Sequence, residues 1–141
     1  MATIHATCIA APGGGPAVLL RGAPGSGKSD LALRLIDQGW RLVADDRTMI
    51  ETEAGRVTAT APAEIAGRLE VRGIGIVSVP HVARACVSLV VDLVAPTEID
   101  RLPEALTCTV AGVELPLIRL APFEASAVAK VRLAVQAATG G

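Results

Sequence analysis

Apolar residues along this chain come in short runs punctuated by glycine and proline, and two stretches repeat them at helical spacing. Ile4 to Ala10 reads as a short strand and Pro12-Gly13-Gly14-Gly15-Pro16 as a turn. Ala17 to Leu20 is a wholly apolar strand of the buried kind. Lys28 to Gln38 sets Leu31 with Leu35 and Ala32 with Ile36 one turn apart and meets Gly39 as a stop, which predicts a helix. Arg41 to Ala44 predicts a strand ending on Asp45-Asp46, and Thr48 to Glu51 and Arg56 to Thr60 predict strands around the turn Glu53-Ala54-Gly55. Pro62 opens a predicted short helix reaching Leu69, and Glu70 to Val79 is a β-branched run carrying Gly73 and Gly75. Val87 to Val94 is the clearest buried strand, and Thr107 to Val110 with Glu114 to Leu120 predicts a hairpin across Ala111-Gly112. Ala125 to Ala138, with Val128, Val131 and Val135 on one side, predicts a closing helix. Strands mixed with two or three helices give an α/β domain, part parallel and part antiparallel.

Composition narrows this picture. The 141 residues suit one domain over 1–141, long enough for a core without disulfides or a structural metal. Trp40 and Phe123 are the only aromatic residues, so that core is built from Ala, Val, Leu and Ile. A net charge of −1 without a basic cluster speaks against nucleic acid as a partner. Apolar runs fall well short of the roughly 20 residues of a membrane helix, so no membrane partner is expected. The first dozen residues lack a basic segment of the kind that opens a secretion signal, and Cys8, Cys86 and Cys108 are odd in number and far apart. Reduced thiols in a cytoplasmic protein fit that pattern.

The chemistry concentrates in three places. Gly22-Ala23-Pro24-Gly25-Ser26-Gly27-Lys28-Ser29 is a complete G-x-x-x-x-G-K-[ST] phosphate loop (a Walker A, or P-loop, motif) between a buried strand and an amphipathic helix. Glycines let backbone amides converge on phosphate oxygens, and the helix N-terminus adds its positive end. Lys28 would reach the β- and γ-phosphates of ATP, and the Ser29 hydroxyl would ligate Mg²⁺. Asp45-Asp46 ends the next strand, where α/β sites collect; one carboxylate there suits a metal and the other a proton from an incoming hydroxyl. Asp92, after an apolar run, is a rival with a Walker B look. In Glu70-Val71-Arg72-Gly73-Ile74-Gly75-Ile76, Glu70 and Arg72 share one face of a strand, and two glycines two apart suit either a close approach of backbone to a ligand or a bulged edge strand.

These motifs, in this order, resemble the catalytic domain of HPr kinase/phosphorylase, with Leu69 to Ile76 similar to that family's signature stretch. The resemblance runs from His5 to the last helix and is to the short alphaproteobacterial form that lacks an N-terminal domain. It implies a P-loop fold like that of phosphoenolpyruvate carboxykinase, a mixed sheet with flanking helices. It also implies an ATP- and Mg²⁺-dependent protein serine kinase that phosphorylates the phosphocarrier HPr of the phosphotransferase system. The reverse, phosphorylase reaction removes the phosphoryl group with phosphate and yields pyrophosphate. Matched residue by residue, Lys28 is the phosphate-loop lysine, Ser29 and Glu70 are the metal ligands, Asp46 is the proton acceptor and Asp45 its support. His5 resembles the upstream histidine, and Arg101 the arginine that contacts the transferring phosphoryl group. Arg72, Gly73 and Gly75 complete the signature stretch, and the resemblance implies a homo-oligomer. Ala121-Pro122-Phe123-Glu124 stands where the family has a glycine-rich lead into its last helix. Two other readings of the same loop are a non-catalytic ATP-binding regulatory domain and a small-metabolite kinase.

Overall fold

The computed structural model describes residues 2–140 as a curled mixed sheet with two helices on one of its faces. In chain order the elements are β1 (Ala2–Ile4), β2 (Thr7–Ala10), β3 (Ala17–Arg21), α1 (Lys28–Ile36), β4 (Arg41–Ala44), β5 (Thr48–Glu53) and β6 (Arg56–Thr60). A single 3-10 turn at Ala63–Ile65 leads to β7 (Arg68–Val71) and β8 (Gly75–Ser78), then β9 (Arg84–Leu93). A second 3-10 turn at Pro96–Glu98 precedes β10 (Leu106–Val110), β11 (Val113–Leu120) and α2 (Ala127–Ala138). The mixed α/β class is as expected, and among the described residues no helix is long and apolar enough to cross a membrane.

The sheet runs β1-β5-β6-β9-β3-β2-β4, with β11 also on β9 and β10 on β11. β9 organises it. Along one side β9 pairs parallel with β3; along the other it pairs first with β6, up to Val57↔Val87, and then with β11, from Leu117↔Val90. The handover coincides with a register shift against β3, Ala17↔Val87 being followed by Val18↔Leu89, so Ser88 is an extra residue. That bulge resets the alternation: Val87 and Val90 face one core while Leu89, Val91 and Leu93 face the other.

The two cores differ in grain. Beneath α1 and α2, facing Leu31 and Leu35 of α1, lie Leu20, Leu42, Leu69, Leu89, Leu120 and Trp40. The other face closes on itself around Ala6, Cys8, Ala10, Ala17, Ala59 and five valines, with Ile50, Leu19 and Leu115. The two rims meet where the Thr52 hydroxyl donates to the Ala111 carbonyl at 2.9 Å. Burial pushes the Cys8 thiol pKa far up, so this cysteine is an inert core residue.

Three expectations are corrected. The strand expected over Ile4 to Ala10 breaks at His5-Ala6, because β1 pairs with β5 while β2 pairs with β3 and β4. A strand that changes layers must bend. The helix expected from Pro62 to Leu69 is one 3-10 turn, because Gly67 (φ 72) turns the chain into β7. The run over Glu70 to Val79 is not one strand: β7 and β8 form a hairpin, so Arg72 sits in its turn and shares no strand face with Glu70.

Leu89→Ala should cost about 2–5 kcal/mol, the usual range for a buried leucine truncated in a close-packed core. Leu133→Ala, on the exposed side of α2, should stay within roughly 0.5 kcal/mol of wild type. Urea denaturation of both variants checks this; equal midpoints would mean that the core beneath the helices is not continuous.

Candidate functional site

The phosphate loop joins β3 to α1 at the end of the central parallel pair. Gly27 caps α1 in the left-handed region (φ 104) and supplies no side-chain cap, so the first-turn amides keep their donors for an anion. Glycine is needed at Gly22 and Gly27 for space as well. A Cβ on Gly22 would lie 2.4 Å from the Ser26 hydroxyl oxygen, and one on Gly27 would lie 2.9 Å from Cζ of Phe123. The Ser26 hydroxyl is buried and has no hydrogen-bond partner among the described residues. Lys28 Nζ is held by the Gly22 carbonyl at 2.8 Å, with Ala23 O at 3.4 Å, and is 3.7 Å from Asp46 Oδ1.

Asp45 and Asp46 are adjacent in sequence and opposite in circumstance. Asp45 Oδ1 accepts the Ser29 hydroxyl at 2.7 Å and the Thr7 hydroxyl at 3.2 Å, and its Oδ2 accepts the Glu70 amide at 3.1 Å. One carboxylate thereby joins the phosphate-loop helix, the bend after β1 and the β7–β8 hairpin. Asp46 is in the left-handed region (φ 63), a conformation aspartate tolerates better than most residues, and the turn directs its carboxylate away. Its side chain is 63% exposed against 8% for Lys28, its ion-pair partner.

Thr7 is the residue that sequence reasoning missed. Fully buried, it donates to the Asp45 carboxylate and accepts the Asp46 amide at 3.0 Å, so one hydroxyl holds the side chain of the first aspartate and the backbone of the second. Thr48 Oγ1, also buried, donates to the Ala6 carbonyl at 2.8 Å and locks the adjoining corner. A threonine in a strand is ordinary; the signal available was that Thr7 interrupts a run of otherwise apolar buried residues.

The pairings Ile4↔Thr48 and Cys8↔Ala44 bracket residues 5–7 opposite residues 45–47, which brings exposed His5 to the end of the sheet that carries the two aspartates. Glu70 joins the cluster through its amide, and its side chain is exposed. Arg72 is exposed in the hairpin turn. Gly73 (φ 87) and Gly75 (φ 118) have nothing within 4 Å of an added Cβ, so they serve the turn geometry and no close approach explains them. Arg101 stands apart, exposed in the loop between β9 and β10, with no ion pair or hydrogen bond among the described residues. Asp92 is occupied otherwise: Arg21 donates to it from Nε at 2.7 Å and Nη2 at 3.1 Å. That hydrogen bonding raises the Arg21 pKa above its ordinary value.

A family model for the HPr serine kinase C-terminal domain matches residues 1–137. An HPr kinase/phosphorylase from Lactobacillus acidophilus is 35% identical over 130 residues, covering 84% of this chain and 40% of its own length. One from Clostridium tetani is 47% identical over 66 residues, 47% of this chain and 22% of its own length. The chain therefore spans well under half the length of these curated relatives. The solved structure of the HPr(Ser) kinase/phosphatase from Coxiella burnetii superposes with a TM-score of 0.82 at 27% identity, covering 99% of this chain and 96% of that one. The chain belongs to the HPr serine kinase C-terminal domain family.

Thr7→Val keeps the shape of a buried side chain and removes its hydroxyl, leaving the Asp46 amide without its acceptor. The expected cost is roughly 1–3 kcal/mol, whereas Thr7→Ser, which keeps the hydroxyl, should retain most of the stability. Urea midpoints against an exposed control, Thr3→Val, measure the difference; equal shifts would show that the bend holds without the hydroxyl.

Proposed function

We propose that this member of the HPr serine kinase C-terminal domain family is a kinase that binds ATP on the Gly22–Ser29 loop and transfers its γ-phosphoryl group to a serine of HPr. The observation that carries the reading is the division of labour between the two aspartates. Asp45 is immobilised by three donors beside the phosphate loop, while Asp46 is solvent-facing and next to Lys28. A carboxylate that is tied down suits binding; a neighbour left free suits accepting a proton.

In this reading the α1 N-terminus and the loop amides receive the phosphates, and Lys28 turns from the loop carbonyls to the β- and γ-oxygens. Asp46 accepts the serine hydroxyl proton as the oxygen attacks, and would return it in the phosphorolytic direction. His5, at the same end of the sheet, assists that proton transfer. The Ser29 hydroxyl, the Glu70 carboxylate and Asp45 offer the hard oxygen donors that magnesium takes; Ser29 and the backbone amide of Glu70 both meet Asp45, which sets the Glu70 residue beside that point. When bound there, magnesium neutralises charge on the transferring phosphoryl group. Arg101 has no counterpart contact to support it, so its role rests on the family resemblance alone.

Incubation with Mg-ATP and HPr, followed by mass analysis for phosphoserine, tests the activity. Lys28→Ala should abolish transfer, and Asp46→Asn should slow it by about 10²–10⁴-fold, the usual worth of a general base. Asp92→Asn should cost far less, since Asp92 is engaged with Arg21. If Asp92→Asn proves more damaging, Asp92 takes over the metal role. Nucleotide binding with no phosphoserine in wild type would instead favour a non-catalytic ATP-binding domain.

Glu70→Gln should move Mg²⁺ activation to higher concentration while ATP affinity without metal stays near wild type, because the amide that meets Asp45 remains. A titration of activity against Mg²⁺ reads this. An unchanged curve removes Glu70 from the metal site.

A further inference from the structure

Of the chain's two aromatic side chains, Trp40 is in the core beneath the helices, and Phe123 is 71% exposed. Nothing in folding physics requires an exposed phenyl ring. Its position is nevertheless built: Pro122 and Phe123 both press on Gly27, and the Arg34 guanidinium of α1 donates to the Pro122 carbonyl while its Nε holds Asp30 at 3.1 Å. The Val94 amide donates to the Leu120 carbonyl at 2.9 Å, aligning the segment after β9 with the segment after β11.

Between those segments and the phosphate loop lies a pocket of about 330 Å³. Its wall combines Ala23 and Ser26 of the loop with Leu93, Pro96, Pro122 and Phe123. The pocket is therefore continuous with the phosphate loop, mostly apolar and bordered by an aromatic ring. Its size falls at the small end of ligand pockets, which run from about 300 to 1,000 Å³.

We propose that this pocket takes the base of the nucleotide whose phosphates occupy the loop, with Phe123 as its stacking platform, and that it does not distinguish one purine from another. The proposal rests on the reading of Gly22–Ser29 as a nucleotide site and adds to it the location and selectivity of base binding. Continuity fixes the occupant: a group entering here is tethered to phosphates at Ala23 and Ser26. Chemistry fixes the selectivity. The Val94 amide is spent on Leu120, and the Ala95 amide on Glu98 Oε2 at 3.1 Å. The Ala95 carbonyl accepts the Glu98 amide at 2.9 Å. Glu98 itself is exposed at the rim. Apart from the unpartnered Ser26 hydroxyl at the phosphate-loop end of the wall, stacking and apolar contact remain, and every purine offers a ring face. Discrimination by large factors comes from buried hydrogen-bonding groups left unpaired by the wrong ligand, and this wall presents few.

Calorimetric titration of the chain with ATP, GTP and inorganic tripolyphosphate tests this. ATP and GTP should bind within about tenfold of each other. Phe123→Ala should weaken both by roughly tenfold, the worth of one base–aromatic stack, and leave tripolyphosphate unchanged. Phe123→Trp should retain affinity, and its added fluorescence should respond to ATP but not to tripolyphosphate. Unchanged ATP affinity in Phe123→Ala, or an equal loss for tripolyphosphate, overturns the base platform while leaving the phosphate site standing. A strong preference for one purine overturns the selectivity. Failure of wild type to bind ATP and tripolyphosphate alike would remove the nucleotide reading itself, and the proposal with it.

Discussion

A single carboxylate ties together segments that the chain keeps far apart. Asp45 receives Thr7 from 38 residues before it, Ser29 from 16 before and the Glu70 amide from 25 after. Hydrogen bonds to an ionised acceptor are roughly twice as strong as neutral ones, so this convergence offsets much of the cost of holding a half-buried charge. It also sets the geometry of everything around it. The first turn of α1, the layer-changing bend at His5-Ala6 and the β7–β8 hairpin each have one fixed point, and it is the same point. Asp46 inherits its freedom from that arrangement, because the chain that anchors Asp45 turns left-handed directly afterwards.

The curl of the sheet explains a composition that is otherwise odd. A sheet that rolls onto itself encloses a narrow interior, and Ala6, Ala10, Ala17, Ala59 and Cys8 are what such an interior can hold. Most of the buried leucines, with Trp40, lie on the outer, helix-covered face, where ridges of α1 and α2 leave larger gaps to fill. Aromatic residues in the interior would force the layers apart and open the corner at which Thr7 and Thr48 make their bonds. The near-absence of aromatic side chains is thus a packing requirement of one face. It is also why an exposed phenylalanine next to the phosphate loop stands out.

The phosphate loop, its helix and the acidic pair were legible in the sequence because each is local: the spacing of glycines, a 3.6-residue period, two charges closing an apolar run. Their contacts were not. Ile4 to Ala10 carries the pattern of one strand, and the break at His5 arises because β5 and β4 capture its two halves separately. Likewise Ser88 looks like any polar residue in a strand; that it is a bulge depends on β9 changing partners beside it. The glycines of the signature stretch invited a ligand, and the structure gives them a turn. Arg101 was placed by resemblance alone, and no described residue draws it toward the aspartates. Thr7 shows the converse: its role lies wholly in tertiary contacts, and its one local signal, a hydroxyl interrupting an apolar run, does not say what that hydroxyl binds.

Charge at the site bears on why the proposed reaction needs a divalent cation. Around the loop stand two carboxylates, one lysine and the end of α1, whose dipole is equivalent to roughly half a positive charge. Arg47, the next residue, is 3.7 Å from Glu64 and shares its charge there. Before any phosphate arrives, the local sum is already slightly negative. A triphosphate would add several negative charges within a few ångströms of Asp45 and Asp46, and Lys28 alone cannot balance them. The loop amides contribute direction but little net charge. In the proposed reaction a small cation would supply what the protein withholds, and the Ser29 hydroxyl and the Asp45 carboxylate are oxygen donors that already meet beside the loop. In the proposed reaction a divalent cation would make good the positive charge that the protein itself supplies sparsely.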